Sequence, residues 1–255
     1  MGRLTVFIFG VASYVVALAV FVYAMGFLGG FLTPTSLDGA PQGSLAQALA
    51  IDLALLVVFS IQHSGMARPA FKRWWTRIIP APAERSAYVL ISSLAMIALF
   101  VAWRPIGGVV WETQGLARAI VIGLYVFGWA LLFLATFLIN HFDLFGLAQV
   151  WRQLRGLPTG APQFHEPALY KLVRHPIYVG WLTIFWAAPT MTVAHLIFAV
   201  GTTVYILVAI QLEERDLIDE FGGTYRDYKR RTPMLIPGLG GGRARFKVGE
   251  IRAGE

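Results

Sequence analysis

Long apolar runs, separated by shorter polar and turn-rich stretches, dominate this chain. The runs cover Leu4 to Phe31, Leu45 to Ile61, Ala87 to Trp103 and Ala119 to Ile139. A helix needs roughly 20 apolar residues to cross a hydrocarbon core of about 30 Å, so these runs predict four membrane spans. A further apolar passage, Ile177 to Leu212, is interrupted by Pro189. Its first part, Ile177 to Ala188, would measure only about 18 Å as a helix. That is short for a full crossing and reads as a tilted or re-entrant limb. Its second part, Met191 to Leu212, is long enough to span.

The polar stretches orient these segments. Between the first two spans lies a turn cluster, Thr33-Pro-Thr-Ser, Asp38-Gly and Pro41-Gln-Gly, with one acid and no base. After the second span come Arg68, Lys72, Arg73 and Arg77, with Trp74 and Trp75 among them. Basic residues mixed with tryptophan at the end of a span suit an interfacial anchor. The connector Arg104 to Arg118 is nearly charge-balanced, whereas Asn140 to His175 carries Arg152, Arg155, Lys171 and Arg174. A last basic group, Arg226, Lys229, Arg230 and Arg231, follows the final apolar run.

Basic loops stay in the cytoplasm, which puts all three basic segments on that side. The passage 177–212 then has to leave and return, as a helical hairpin. The expected fold class is all-α: a multi-span integral membrane bundle of four spans plus a C-terminal hairpin, five spans if the long limb is counted. Residues 1–237 read as one domain and 238–255 as a flexible tail, on the strength of Gly238-Leu-Gly-Gly-Gly.

Composition agrees with this reading and narrows the chemistry. The chain has 255 residues, of which 57% are hydrophobic and 14% charged, a low charge for a water-soluble domain. The formal charge of +7 is assigned to loops facing anionic lipid, and no nucleic-acid partner is expected. There is no cysteine, which excludes disulfides, thiolate metal sites and a cysteine nucleophile. None of the five histidines sits at metal-ligand spacing, so no metal site is expected. The glycine-rich dinucleotide motif, the phosphate loop and the zinc-protease motif are missing. The N-terminal run is too long for the apolar region of a signal peptide and reads as a span.

Candidate chemistry concentrates between Lys171 and Pro237. Arg174-His175-Pro176-Ile-Tyr178-Val-Gly180 opens an apolar helix, and Glu213-Glu214 follows the last run. Proline is favoured at the first position of a helix, where its missing N–H costs nothing. Arg174 and His175 therefore project beside a helix N-terminus, where anions bind. Charge next to hydrocarbon is costly and marks function, although Arg174-His175 alone would also serve as an interfacial anchor. Adjacent helical residues face about 100° apart, so one of Glu213 and Glu214 is expected to meet a ligand directly; the alternative is an exposed charge ladder of Glu213, Asp216 and Glu220 on the continuing helix. Tyr225 and Tyr228 read as packing residues, and His195 as a satisfied interior histidine.

The order Arg-His-Pro-x-Tyr-x-Gly, Glu-Glu-x-x-Leu-x-x-x-Phe-Gly-x-x-Tyr-x-x-Tyr resembles the integral-membrane methyltransferases, among them the isoprenylcysteine carboxyl and phospholipid N-methyltransferases. The resemblance covers about a quarter of the chain. It implies S-adenosylmethionine as cofactor, bound within 171–237 by Arg174, His175, Tyr178 and Gly180 and by one or both of Glu213 and Glu214. A glycine at 180 would let another backbone or the ligand approach closely.

A second cluster, Asn140-His141-Phe142-Asp143-Leu-Phe145-Gly146, lies where the fourth span emerges. It reads either as a helix cap with Asp143 paired to an arginine, or as the source of a base for a thiol acceptor, since the thiolate is the nucleophile. His165 and Glu166 are further candidates for that base. His141, Asp143 and Arg174 are the catalytic candidates. This segment and Gln62-His63-Ser64-Gly65-Met66-Ala67-Arg68-Pro69 are similar to the methanethiol S-methyltransferase branch and its NnrU-like relatives. That likeness implies methylation of a small thiol, methanethiol to dimethyl sulfide, at the cytoplasmic face of a bacterial inner membrane. A phospholipid amine, a prenylcysteine carboxylate and a non-enzymatic accessory role remain as alternatives.

Overall fold

The computed structural model describes residues 2–158 and 163–239; most of the expected tail therefore lies outside the described residues. Four long apolar helices appear where the first four runs predict them: α1 (Arg3–Gly29), α2 (Leu45–Ala67), α4 (Glu84–Ala102) and α5 (Gly115–Ile139). The short α3 (Pro69–Trp75) joins α2 to α4 and carries the basic tryptophan-rich loop. Among the described residues, five helices are long and apolar enough to cross a membrane, the fifth being α9 (Val193–Phe221). The chain is an all-α, multi-span membrane protein. Large apolar side chains such as Ile8, Val15, Val58, Val126, Phe127 and Val204 face outwards, as a lipid-exposed surface requires.

The passage broken by Pro189 is a hairpin. Its first limb, α8 (Pro176–Trp186), has 11 residues, about 16 Å of helix, and cannot cross alone. The second limb is α9, with 29 residues. This helix does not stop at Leu212. It carries Glu213 and Glu214 inside it and ends where Gly222 takes φ 57° and ψ −122°, a conformation open to glycine. A last helix, α10 (Gly223–Arg231), follows at once.

Two connectors hold more structure than their composition predicts. The nearly charge-balanced 104–118 segment contains the strand β1 (Val109–Glu112). It pairs antiparallel with β2 (Thr190–Thr192) in the turn of the hairpin, in the register Val109 to Thr192, Trp111 to Met191 and Glu112 to Thr190. Thr113 N–H donates to Pro189 O at 2.8 Å and Val193 N–H to Gly108 O at 3.0 Å, extending the ladder at both ends. The polar 140–175 segment holds α6 (His141–Leu144) and α7 (Leu147–Arg155).

The main core runs through the middle of the bundle and includes Phe27, Phe100, Trp129, Ile184, Phe198 and Ile210. Two smaller clusters, one around Met66, Tyr88 and Phe145 and one of Val6, Ala83 and Val150, close the basic end. At the opposite end, which we call the far end, Trp103 Nε1 donates to Leu37 O at 3.2 Å and Arg104 N–H to Asp52 at 2.9 Å. The bundle is thus polar and basic at one end, where α3, α7 and α10 lie, and stitched by a short sheet at the other.

Candidate active site

The basic end carries the residues singled out by the sequence. Pro176 begins α8, leaving Arg174 and His175 just outside it. Their backbone N–H groups donate to Pro233 O at 2.9 Å and Met234 O at 3.2 Å, so the chain after α10 lies alongside them. The Arg174 Nε donates to Glu214 Oε1 at 2.7 Å. Its Nη1 donates to the carbonyls of Lys229 and Thr232, the free carbonyls at the end of α10. His175 Nε2 lies 3.1 Å from Glu214 Oε1 and Lys229 Nζ 2.7 Å from Oε2. Glu214, with 2% of its side chain exposed, is therefore shared by three basic groups from two chain segments, the residues before α8 and the helix α10. Such a network holds if every member is satisfied, and removing one member strands the others.

Glu213 has the opposite environment. Its side chain is 42% exposed, and Oε2 accepts from Tyr178 Oη at 3.0 Å with His175 Nδ1 3.9 Å away. Oε1 has no partner among the described residues. Helical periodicity separates the two glutamates, as expected, and leaves Glu213 as the carboxylate able to receive a ligand. On the same helix, Tyr205 accepts a bond from Ser64 of α2 at 3.3 Å, and Arg68, between α2 and α3, pairs with Asp216 at 2.8 Å.

Gly180 is positioned by a neighbouring backbone. A Cβ there would lie 3.0 Å from Leu132 N and 3.1 Å from Gly128 O, and one at Gly128 would lie 3.2 Å from Gly180 O. The helices α5 and α8 thus touch backbone to backbone through two small residues, the packing that membrane helices favour. Of the two approaches a glycine at 180 allows, the structure shows the one by a helix.

Tyr225 and Tyr228 are buried. Burial, reinforced by the Glu214 and Glu213 carboxylates, holds the Tyr225 phenol well above its usual pKa. Tyr228 Oη donates to Tyr170 O at 2.6 Å, and Phe164 packs against both tyrosines. Glu166 pairs with Arg231.

The 140–146 cluster forms a separate wall of this end. Asn140 takes φ 131°, and its side chain accepts from Asp143 N–H at 3.3 Å, capping α6. Asp143 pairs with Arg152 at 3.1 Å. His141 is buried between Tyr14 Oη and Thr136 Oγ1, each 2.9 Å from one ring nitrogen, and stacks on Phe137 with centroids 4.2 Å apart. Burial pushes its pKa below the ordinary histidine value. Asn140 and Asp143 open onto a cleft of about 500 Å³ that Lys72, Glu84, Arg85 and Glu220 also line.

A third polar group lies inside the bundle, between α2 and α4. His63 Nδ1 lies 3.1 Å from Ser92 Oγ, which also receives Gln62 Nε2 at 3.2 Å. Tyr88 Oη sits 2.8 Å from His63 Nε2 and 3.2 Å from Nδ1. The imidazole stacks on Phe59 at 5.2 Å, and Phe59 meets Tyr205 edge-on at 6.1 Å. The places of Tyr88, Ser92 and Lys229 in these polar clusters were not legible from the sequence: two hydroxyls inside an apolar run and one lysine in a basic group carry no spacing signal.

Comparison with known proteins bears on the same regions. The family model described as NnrU protein matches residues 53–237, from within α2 to the segment beyond α10. The protein named Methanethiol S-methyltransferase from Crocosphaera subtropica is 51% identical over 94% of this chain and 94% of its own length. Methanethiol S-methyltransferase 2 from Bradyrhizobium diazoefficiens is 49% identical over 93% of this chain and 92% of its own. Nurim from Rattus norvegicus is 33% identical over 68% of this chain and 70% of its own. No solved structure matches the chain.

Proposed function

From the chain's membership of the NnrU family, we infer that it is a membrane-embedded methyltransferase that converts methanethiol to dimethyl sulfide with S-adenosylmethionine. The observation that carries this reading is the similarity, near half identity over more than nine-tenths of the chain, to proteins named methanethiol S-methyltransferase. The bundle is read as lying in a bacterial inner membrane with its basic end in the cytoplasm, where the methyl donor is made.

The residues present suit that donor, which supplies an activated methyl group on a cationic sulfur. Glu213 offers a carboxylate oxygen with no partner among the described residues beside the Tyr178 phenol, and carboxylates accept from hydroxyl and ammonium groups. Arg174, His175 and Lys229, tied to Glu214, act as positioning residues that fix the start of α8 against α9 and α10. The apolar interior above them suits a small apolar thiol, and exclusion of water there strengthens the reactivity of a thiolate. Asp143 is assigned to the wall of the adjoining cleft and His141 to the packing behind it.

Detergent-purified protein supplied with S-adenosylmethionine and methanethiol is expected to release dimethyl sulfide, measured by headspace gas chromatography. A protein that binds S-adenosylmethionine by calorimetry yet forms no dimethyl sulfide would redirect the acceptor to a phospholipid amine or a prenylcysteine carboxylate. A folded protein that binds no S-adenosylmethionine would remove the methyltransferase reading.

A further inference from the structure

The methyl-transfer reading gives no ligand to the cleft at the basic end, about 500 Å³ in volume, which lies where α4 begins and α5 ends. Lys72 of α3, Glu84 and Arg85 of α4 and Glu220 of α9 line it with charge of both signs. The ion pairs of this end join Arg68 to Asp216, Arg152 to Asp143, Lys229 to Glu214 and Arg231 to Glu166; Lys72, Glu84, Arg85 and Glu220 have none among the described residues. Arg85 spends its Nε on Leu144 O at 2.7 Å and lies over the Tyr88 ring at 4.9 Å, and its two terminal nitrogens have no acceptor among the described residues. Burial, and after it the nearby Arg85, holds the Lys72 ammonium below its ordinary pKa, against the opposite pull of Glu84 and Glu220.

Two neighbouring cations repel each other, and an anion between them relieves the repulsion. An anion alone would leave Glu84 and Glu220 facing a like charge, and a cation alone would do the same to Lys72 and Arg85. The ligand that satisfies all four carries both signs. Its depth is set by the helices. The spans of α4 and α5 end at the cleft, which puts it at the level of the lipid headgroups, where pockets with basic residues between spans hold such groups. Ile139 and Leu144 supply an apolar side to the cleft, and Leu134 and Phe137 continue the exposed apolar surface of α5 away from it.

We propose that this cleft binds the headgroup of a phospholipid that carries a primary ammonium, the ethanolamine type. The phosphate lies between Lys72 and Arg85, the ammonium faces Glu84 and Glu220, and the acyl chains run along the outer face of α5. A soluble phosphoethanolamine has the same two charged groups but no chains to lie against Ile139 and Phe137. The inference does not depend on which acceptor takes the methyl group.

The test titrates detergent-purified protein separately with phosphatidylethanolamine, phosphatidylglycerol and phosphatidylcholine, and counts bound lipid by native mass spectrometry. One phosphatidylethanolamine is expected to bind about tenfold more tightly than either of the others. Phosphatidylglycerol brings no ammonium, and the ammonium of phosphatidylcholine has no N–H to donate. Lys72→Gln should weaken phosphatidylethanolamine about fivefold, the worth of one partly exposed charge contact. Glu220→Gln should remove most of the preference over phosphatidylglycerol. Arg73→Gln, on the exposed side of the same short helix as Lys72, should change neither.

Equal binding of the three lipids by wild type overturns the proposal, and that result needs no variant to fold. Equal losses in Lys72→Gln and Arg73→Gln would show general attraction to a basic surface and overturn it too. Two competitors complete the test. Displacement of the lipid by an equal concentration of soluble phosphoethanolamine would give the cleft to a free phosphate ester, and displacement by saturating S-adenosylmethionine would give it to the methyl donor. Either result removes the lipid. No step reads dimethyl sulfide, so a failure of the methyltransferase reading leaves this test intact.

Discussion

Two buried histidine–carboxylate pairs sit at opposite ends of this bundle, and they are built for different work. At the far end, His195 Nδ1 lies 2.9 Å from Asp38 Oδ2 and Nε2 lies 3.1 Å from Phe185 O, while Thr192 donates to the other oxygen of Asp38. The strong acceptors and donors there are matched, and the cluster closes the loop between α1 and α2 onto the start of α9. At the basic end, His175 and Glu214 belong to an equally satisfied network, but its neighbour Glu213 keeps an oxygen without a partner among the described residues. Residue type alone does not separate a clasp from a binding site. What separates them is whether, once the protein's own bonds are counted, an acceptor with open capacity remains beside the cluster.

Breaking the basic network is expected to have the largest effect. Glu214→Ala leaves Arg174, His175 and Lys229 without their shared anion, at a cost of about 3–5 kcal/mol. Thermal melts in detergent should show a strongly destabilised protein. Glu213→Gln, one residue away, should melt like wild type yet bind S-adenosylmethionine about 10- to 100-fold more weakly by calorimetry, the loss of a charged hydrogen bond of about 1.5–3 kcal/mol. If both variants lost the fold equally, the contrast between the adjacent glutamates would be wrong. Gly180→Ala presses a methyl group onto the α5 backbone and is expected to cost about 1–3 kcal/mol, read as a lowered melting temperature.

The far end should respond more mildly. Asp38→Asn keeps the shape and weakens the bond to His195, for an expected loss of about 1 kcal/mol with activity per folded molecule unchanged. A third histidine gives the smallest effect, a dependence on pH. Burial holds the folded pKa of His141 below its ordinary value. Between the two values the unfolded chain binds a proton that the fold refuses, so stability is full above about pH 6.5 and declines as the pH falls below it. Melting temperatures taken across that range should show the decline, and His141→Asn should flatten it.

Much of this arrangement is visible in the sequence. The four spans follow from run length, and Pro176 and Pro189 bracket α8 because each interrupts helical bonding at a known side. The continuation of α9 past its paired glutamates is also legible, from the spacing of Glu213, Asp216 and Glu220, and the helix runs on to Phe221 because backbone propensity does not stop at a charge. The pairing of β1 with β2 joins residues some eighty positions apart, and local composition around Val109 carries no trace of its partner. For Glu213 and Glu214 the sequence supplies the angle between two faces but not which face lies inside, since that depends on Lys229 and on chain segments folded in afterwards.

The ladder at the far end gives the bundle a fulcrum. Helix α9 leaves β2 directly, so its first turn is tethered, whereas Glu213 stands about 30 Å further along at 1.5 Å per residue. Over that arm a tilt of only about 5° carries Glu213 through about 3 Å. The α8 limb is pressed against α5 by its glycine contact, so a tilt of that size would be felt where α9 meets the start of α8: at the Tyr178–Glu213 bond and at the Arg174 and His175 contacts of Glu214.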